Sequence, residues 1–357
     1  ANVLADLDEV INGNYLPTSY DADNKGRITR WAAMAIKAKI YLFEGNWTQV
    51  KNITSTIMTE GGFKLFGSYA GLFEIANEYN SEVILDAQYR PTSREHQMMY
   101  VFLPPTLGGY SQLSPLQELV DSYIMLDGKT IKETGTSFDE SHPYANRDPR
   151  LKATVMYTGN SYTLADGTEV VINCEKGEGK DGYGVGSDCS ATGYYIKKYW
   201  DNAYRATLYS GLNPILIRYA DILLMNAEAL AELGELDKTA WDATIKPIRD
   251  RAGFTLASAL EFPEGASKDK LIEIVRNERR SELALEGHRH KDIIRWRIAD
   301  DVLNGWCHGL KTNEVVGTDN GYVRVENRAF NANKHYLWPI PQAERDLNGN
   351  LVQNPNW

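Results

Sequence analysis

The chain has 357 residues, 43% hydrophobic and 24% charged, a composition that suits a globular protein with one large core or two modest ones. Its formal net charge of −10 argues against nucleic acid as the main partner, because phosphate binding needs a cationic surface. No run of 18 apolar residues is present, so no helix is expected to span a bilayer, and the start at Ala1-Asn2-Val3 shows no targeting signal and reads as a trimmed edge.

In chain order, Ala1 to Pro17 reads as a short helix with an exit loop, and Asp21 to Arg27 as a polar turn. That turn starts like a calcium loop, but Lys25 and Ala32 stand where calcium needs oxygen ligands. A helix follows from Ile28 to Glu44 with Trp31, Ala35, Ala38 and Leu42 on one face, and Gly45 ends it. Asn46 caps a second helix carrying Trp47, Val50, Ile53 and Ile57, so the two form an antiparallel hairpin. The spacing Ala38-x-x-Tyr41-Leu42-x-x-Gly45 returns as Ala227-x-x-Leu230-Ala231-x-x-Gly234, again before a capped helix through Trp241, Ile245 and Ile248. A tetratricopeptide-like unit is therefore used twice, with a kink or early stop expected at Pro247.

Between the units, residues 61–213 have poor helical periodicity. Glu82 to Tyr89, Leu151 to Tyr157, Thr168 to Asn173 and Tyr194 to Tyr199 read as strands, Pro115 to Tyr123 as a short helix, and Pro91 to Gln112 as a long irregular loop. Cys174 and Cys189 flank a glycine-rich loop and are candidates for a disulfide; Cys307 stands alone. Glu175, Glu178, Asp181 and Asp188 in that loop read as a solvated acidic loop, with calcium binding as the alternative. No CxxC or His cluster is present, and no metal site or cofactor is expected.

One long helix is predicted from Ser267 to Trp296, and the chain is organised around its Arg276–Trp296 part. Glu278, Glu282, Glu286, Arg289, Asp292 and Arg295 fall along one stripe, which if buried needs a partner for every charge. The neighbours Glu286–Arg289, Arg289–Asp292 and Asp292–Arg295 supply part of that need, and a solvated face is the alternative. Gly287 inside this helix suggests another backbone packed closely against it. Beyond, Tyr322 to Phe330 reads as a strand, and the prolines and asparagines of residues 335–357 exclude long regular elements.

Four stretches and the tail carry a family resemblance: Trp31 through Trp47; Pro115 to Gly128 with Asp148-Pro149-Arg150; Arg218-Tyr219-Ala220-Asp221 through Ala229 with Ile248 to Gly253; Glu278 to Trp296; and Leu337 to Gln342 with Asn354-Pro355. Together they make the chain similar to the SusD/RagB-like family of outer-membrane nutrient-binding lipoproteins. Departures are Asn46 where Asp is frequent, Pro247, Gly349 where Pro is common and Trp357 where Tyr is common. The resemblance begins only after the family's N-terminal segment, with its lipoprotein signal, acylated Cys and first helical repeats, so the sequence reads either as a fragment or as a naturally short chain. The resemblance implies a mainly α fold, tetratricopeptide-like hairpins packed against an irregular half with a few short strands. It implies one domain, with residues 1–60 and 214–300 helical and residues 61–213 and 301–357 forming the loop-rich ligand-binding and C-terminal part. It also implies lipid anchoring on the outward face of the outer membrane and docking onto a SusC-like, TonB-dependent transporter.

Glycan capture needs aromatic platforms flanked by side chains that hydrogen-bond hydroxyls. The Trp200–Asn213 loop has both kinds: Trp200, Tyr204 and Tyr209 as platforms, Asp201, Asn202 and Arg205 as polar neighbours, with Tyr183 and Tyr162 joining from adjacent loops. An oligopeptide receptor of the same family is the nearest rival. A glycoside hydrolase would need only two placed carboxylates, but the densest acids lie among arginines; no G-x-S-x-G elbow is present, and Cys307-His308 have no evident orienting acid. No enzyme activity is expected. A pure protein-interaction scaffold fits poorly with only two hairpins and so large a non-helical insert.

Overall fold

The computed structural model describes residues 2–357; Ala1, where the first predicted helix begins, lies outside the described residues. The first helices are α1 (Asn2–Asn12), α2 (Arg30–Glu44) and α3 (Trp47–Glu60). The middle of the chain holds β1 (Val83–Asp86), α4 (Met98–Phe102), α5 (Gln117–Ser122), α6 (Pro149–Thr154), β2 (Val155–Met156), β3 (Ser161–Thr163), β4 (Glu169–Val171), β5 (Tyr195–Ile196) and β6 (Ile215–Arg218). Helices then dominate: α7 (Tyr219–Leu233), α8 (Lys238–Ala243), α9 (Ile245–Ala252), α10 (Ala257–Leu260), α11 (Lys268–Glu282), α12 (Arg289–Arg295) and α13 (Ala299–Val302). The chain closes with β7 (Gly305–Lys311), β8 (Thr318–Asp319), β9 (Tyr322–Arg328) and α14 (Gln342–Leu347).

The fold is mainly helical, as expected, and the repeated unit is present at both places. Gly45 and Gly234 end α2 and α7 with φ of +71° and +74°, and in each case the next two N–H groups return to the last turn of the helix. Glycine takes this left-handed conformation without a Cβ penalty. Asn46 caps α3 and Asp237 caps α8. The helix expected through Pro247 stops at Ala243 and restarts at Ile245, which places Pro247 in a first turn where its missing N–H would have had no helical partner. α7 packs between α3 and α11 and is buried on nearly every side from Ala220 to Ala231. One core joins α2, α3 and α7 through Trp31, Ala35, Val50, Ile57 and Met225; a second surrounds Trp241 between α7 and α11.

The strands form small antiparallel ladders, β1 with β6, β2 with β5, β3 with β4, and β7–β9–β8. Around them lies a core of Met99, Leu103, Tyr123, Leu151, Tyr162, Tyr194 and Tyr195. Leu151 to Thr154, read as strand, belongs to α6, which Asp148 caps and Pro149 opens. Cys174, Cys189 and Cys307 are free thiols, so the Cys174–Cys189 bridge does not form.

The predicted long helix is two helices. α11 ends at Glu282, Leu285 and Gly287 take φ of +64° and +80°, and α12 starts at Arg289. The carbonyls released at the break are taken by side chains from the other half: Lys198 Nζ donates to Ala284 O at 2.8 Å and Tyr199 Oη to Leu285 O at 3.1 Å. Gly287 therefore serves the turn, and a Cβ there would meet nothing within 4 Å, contrary to the close approach expected.

Candidate functional site

The site rests on the joint between the two halves. Apart from the half-buried Arg289, the side chains of the charged stripe are buried, and their partners come mostly from elsewhere in the chain. Glu282 accepts from Arg150 at 2.8 Å, from Arg218 at 2.6 Å and from Arg251. Glu286 binds Arg218 and Lys198, each at 2.7 Å; Glu278 binds Arg150 and Arg249, each at 2.7 Å. Asp148 and Glu82 complete this web, in which five cations (Arg150, Arg218, Arg249, Arg251, Lys198) meet five carboxylates (Asp148, Glu82, Glu278, Glu282, Glu286). A second web pairs Arg279, Arg295 and Lys39 with Asp221, Asp292 and Glu228. Of the expected neighbours on the stripe only Asp292–Arg295 forms, at 2.8 Å. Both webs are balanced, as burial requires. Despite burial, the facing guanidiniums hold Glu282 far below the usual carboxylate range, and Arg218 with Lys198 hold Glu286 at about 2. Burial lowers Lys198 to about 8.

Lys198 thus pins the end of β5, from which the predicted ligand loop departs. Most residues nominated there are structural. Tyr162 is fully buried, its hydroxyl donating to Ile196 O at 3.1 Å, and offers no platform. Trp200 lies 5.1 Å from the Tyr162 ring and donates its Nε1–H to Thr163 O at 3.1 Å; Asn202 Nδ2 donates to the same carbonyl at 3.0 Å. Asp201 is buried and accepts from the Ile75 and Ala203 amides at 2.7 and 2.9 Å. Tyr204 is buried and Tyr183 is half-buried against the same core. Asp181, from the glycine-rich loop, is also buried, accepting from Thr106 N at 2.8 Å.

Tyr209 stands apart, 41% exposed at the tip of the loop. Ser210 and His96 exchange two backbone hydrogen bonds of 2.9 Å, which ties this tip to the irregular 90–114 loop. Arg205 Nη1 reaches Leu107 O at 3.5 Å, and the Tyr89 amide donates to Asn213 Oδ1 at 2.6 Å. This second loop brings Tyr110, 39% exposed, stacked on Tyr100 with centroids 4.3 Å apart. The Tyr100 hydroxyl is pushed up to about 12, chiefly by the Tyr110 hydroxyl beside it, with Tyr209 and Asp188 near enough to contribute. Gly109 lets Tyr110 take its place, since a Cβ there would lie 2.1 Å from Leu103 O. Tyr89 extends the surface, edge-on to His96 at 5.0 Å and covered by Arg94, also at 5.0 Å. Two loops tied to each other by backbone bonds thus present Tyr110, Tyr209 and Tyr89, with Arg94 over the Tyr89 ring and Arg205 reaching across to Leu107 O. Sequence reasoning missed Tyr100 and Tyr110; two tyrosines in a glycine- and proline-rich loop were the available signal.

The SusD family profile matches residues 72–357. A SusD-like protein of Formosa agariphila is 28% identical over 95% of this chain and 60% of its own length. A SusD-like carbohydrate-binding protein from Bacteroides fragilis superposes with a TM-score of 0.84 at 30% identity, covering 98% of this chain and 70% of that one. A laminarin-binding SusD-like protein shares the fold at 23% identity with a TM-score of 0.61, covering 99% of this chain and 68% of that one. The chain spans about three fifths or less of the length of the curated relatives it matches. With the profile covering most of the chain and the hairpins, ladders and loop-rich half in place, the chain belongs to the SusD family.

Proposed function

We propose that this protein captures oligo- or polysaccharide on the outward face of the outer membrane and delivers it to a TonB-dependent transporter, with the Tyr100–Tyr110–Tyr209 face as its glycan contact. The observation that carries this reading is the convergence of two exposed tyrosines and a stacked third on two mutually anchored loops. Pyranose faces are apolar and stack on such rings, while their hydroxyls need the polar groups at the border. The similarity to a carbohydrate-binding protein at 30% identity supports the ligand class. Capture and hand-over call for non-covalent, reversible binding. Of the residues first nominated, Tyr209 and Arg205 belong to this face, whereas Trp200 maintains the shape of the loop beneath it.

Native affinity electrophoresis against plant, fungal and host polysaccharides, laminarin included, tests the reading. The parent should be retarded by at least one polymer. Tyr209→Ala should migrate freely or nearly so, with affinity reduced about 5- to 150-fold, taking about 1–3 kcal/mol per stacked ring by analogy with bases on aromatic side chains. Equal retardation of parent and variant would remove the face from the site, and no retardation by any polymer would remove the glycan reading.

A further inference from the structure

The Tyr209 face accounts for few of the rings in the loop-rich half. A separate cavity of about 590 Å³ opens between the 138–145 loop and the β7–β9 hairpin and shares no residue with that face. Its volume lies within the range of small-ligand sites, about 300–1,000 Å³.

Its walls are held in advance of any ligand. Residues 131–147 contain no helix or strand, yet the segment is anchored at Arg147, which is buried and forms no ion pair among the described residues. The Arg147 guanidinium instead donates to Val120 O and Pro143 O at 2.7 Å each, and to Tyr123 O through two N–H groups at 2.7 and 3.2 Å. Phe138 packs over it at 5.5 Å. Tyr144 stacks on Tyr157 with centroids 3.9 Å apart and planes 18° from parallel. Its hydroxyl lies 3.1 Å from that of Tyr194, which donates to Gln117 Oε1 at 2.5 Å; Gln117 Nε2 in turn donates to Asp121 Oδ1 at 2.7 Å. Across the cavity Lys311 Nζ lies 5.5 Å from the Tyr322 ring centre and 2.9 Å from Glu140 Oε2. Rings whose orientation is already fixed lose little entropy on binding.

We propose that this cleft is a second saccharide-binding site, with Tyr144 and Tyr322 as ring contacts and Asp121, Glu140 and Lys311 as partners for hydroxyls. The ligand class follows from charge. Asp121, Glu140 and Glu175 line the cleft, while its basic side chains are committed, Arg147 to carbonyls, Lys311 to Glu140 and His142 to Asp139. A uronate or sulfated sugar would meet the Asp121 and Glu175 carboxylates, neither of which has an ion-pair partner among the described residues, so the site takes neutral sugars. The choice of saccharide rests on the glycan reading above; the location of the cleft is independent of it. Two sites on one chain would strengthen attachment to a polymer that reaches both.

Hydrogen–deuterium exchange on the intact chain tests this, with laminari-, cello-, xylo- and maltohexaose as neutral probes and a galacturonan hexamer as the acidic one. At least one neutral probe should slow exchange in residues 131–147 and 311–322, both in the parent and in Tyr209→Ala. Tyr322→Ala, which leaves the Tyr144–Tyr194–Gln117 chain intact, should lose that protection and weaken binding at the cleft about 5- to 150-fold. Protection confined to residues 89–113 and 200–213 would overturn the cleft and leave the Tyr209 face standing. Protection of the cleft alone would support it and displace the face. No protection by any neutral probe overturns both, and protection by the galacturonan overturns the assignment of neutral sugars.

Discussion

Replacing Glu282 by Gln keeps the shape of the side chain and removes one negative charge from the centre of the larger web. Glu282 is fully buried and faces Arg150, Arg218 and Arg251, so the variant leaves five cations opposite four carboxylates away from bulk solvent. Removing one partner from a buried charge pair costs about 3–5 kcal/mol. Against a total stability of about 5–15 kcal/mol this is a large fraction, and it falls on the contact between the helical and loop-rich halves. Urea unfolding followed by far-UV circular dichroism measures it as a lower midpoint at unchanged slope. Lys238→Ala is the control: its pairs with Asp242 and Glu261 are more than one-third exposed on both sides, and such solvent-screened pairs contribute little to stability. A loss below about 1 kcal/mol for Glu282→Gln, equal to that control, would refute the view that the web is a charge-balanced unit.

Gly109→Ala forces a Cβ to 2.1 Å from Leu103 O, a backbone atom that cannot step aside. It should destabilise by about 1–3 kcal/mol and reduce glycan retention by displacing Tyr110, checked by thermal unfolding and affinity electrophoresis together. His288 is held at about 4, first by burial, so the folded chain binds a proton there less readily than the unfolded chain. Stability should therefore fall as pH drops from 6.5 towards 4, by up to about 1.4 kcal/mol per unit, and His288→Gln should flatten that limb in urea titrations at several pH values. Glu286, held at about 2 first against burial by Arg218 and Lys198, contributes stability that is present above pH 4.5 and lost as pH falls towards 2, so Glu286→Gln should remove the lower part of the acid limb.

The hairpins were legible because their signals are local. Alanines at helical spacing, glycine at each helix end and an Asn or Asp cap lie within about one helix length of one another. The break after Glu282 was not legible, because what stabilises it is Lys198 and Tyr199, some 86 residues earlier in the chain, reaching the freed carbonyls. The stripe itself pointed to burial; the identity of its partners, Arg150 and Arg218 above all, is a tertiary fact. The β7 strand escaped notice because Gly305, Gly309 and a central His interrupt any alternation. In the ligand loop, composition located one exposed ring and several buried ones. Trp200 looked like a platform, but a carbonyl on β3 claims its N–H, and only the Ser210–His96 bonds between two distant loops bring the Tyr209 tip to the loop that carries Tyr100 and Tyr110.

The buried webs have a consequence for how such a protein can diversify. None of their ten and six charged groups lies in the two loops that carry the tyrosine face. A substitution within a web unbalances it and must be matched by a second one, whereas a ring at the face can be exchanged without disturbing any buried charge. Frame and loop surface are therefore separable, and if the tyrosine face is the glycan contact proposed above, a chain of this design can change its sugar preference one loop residue at a time while its architecture stays locked.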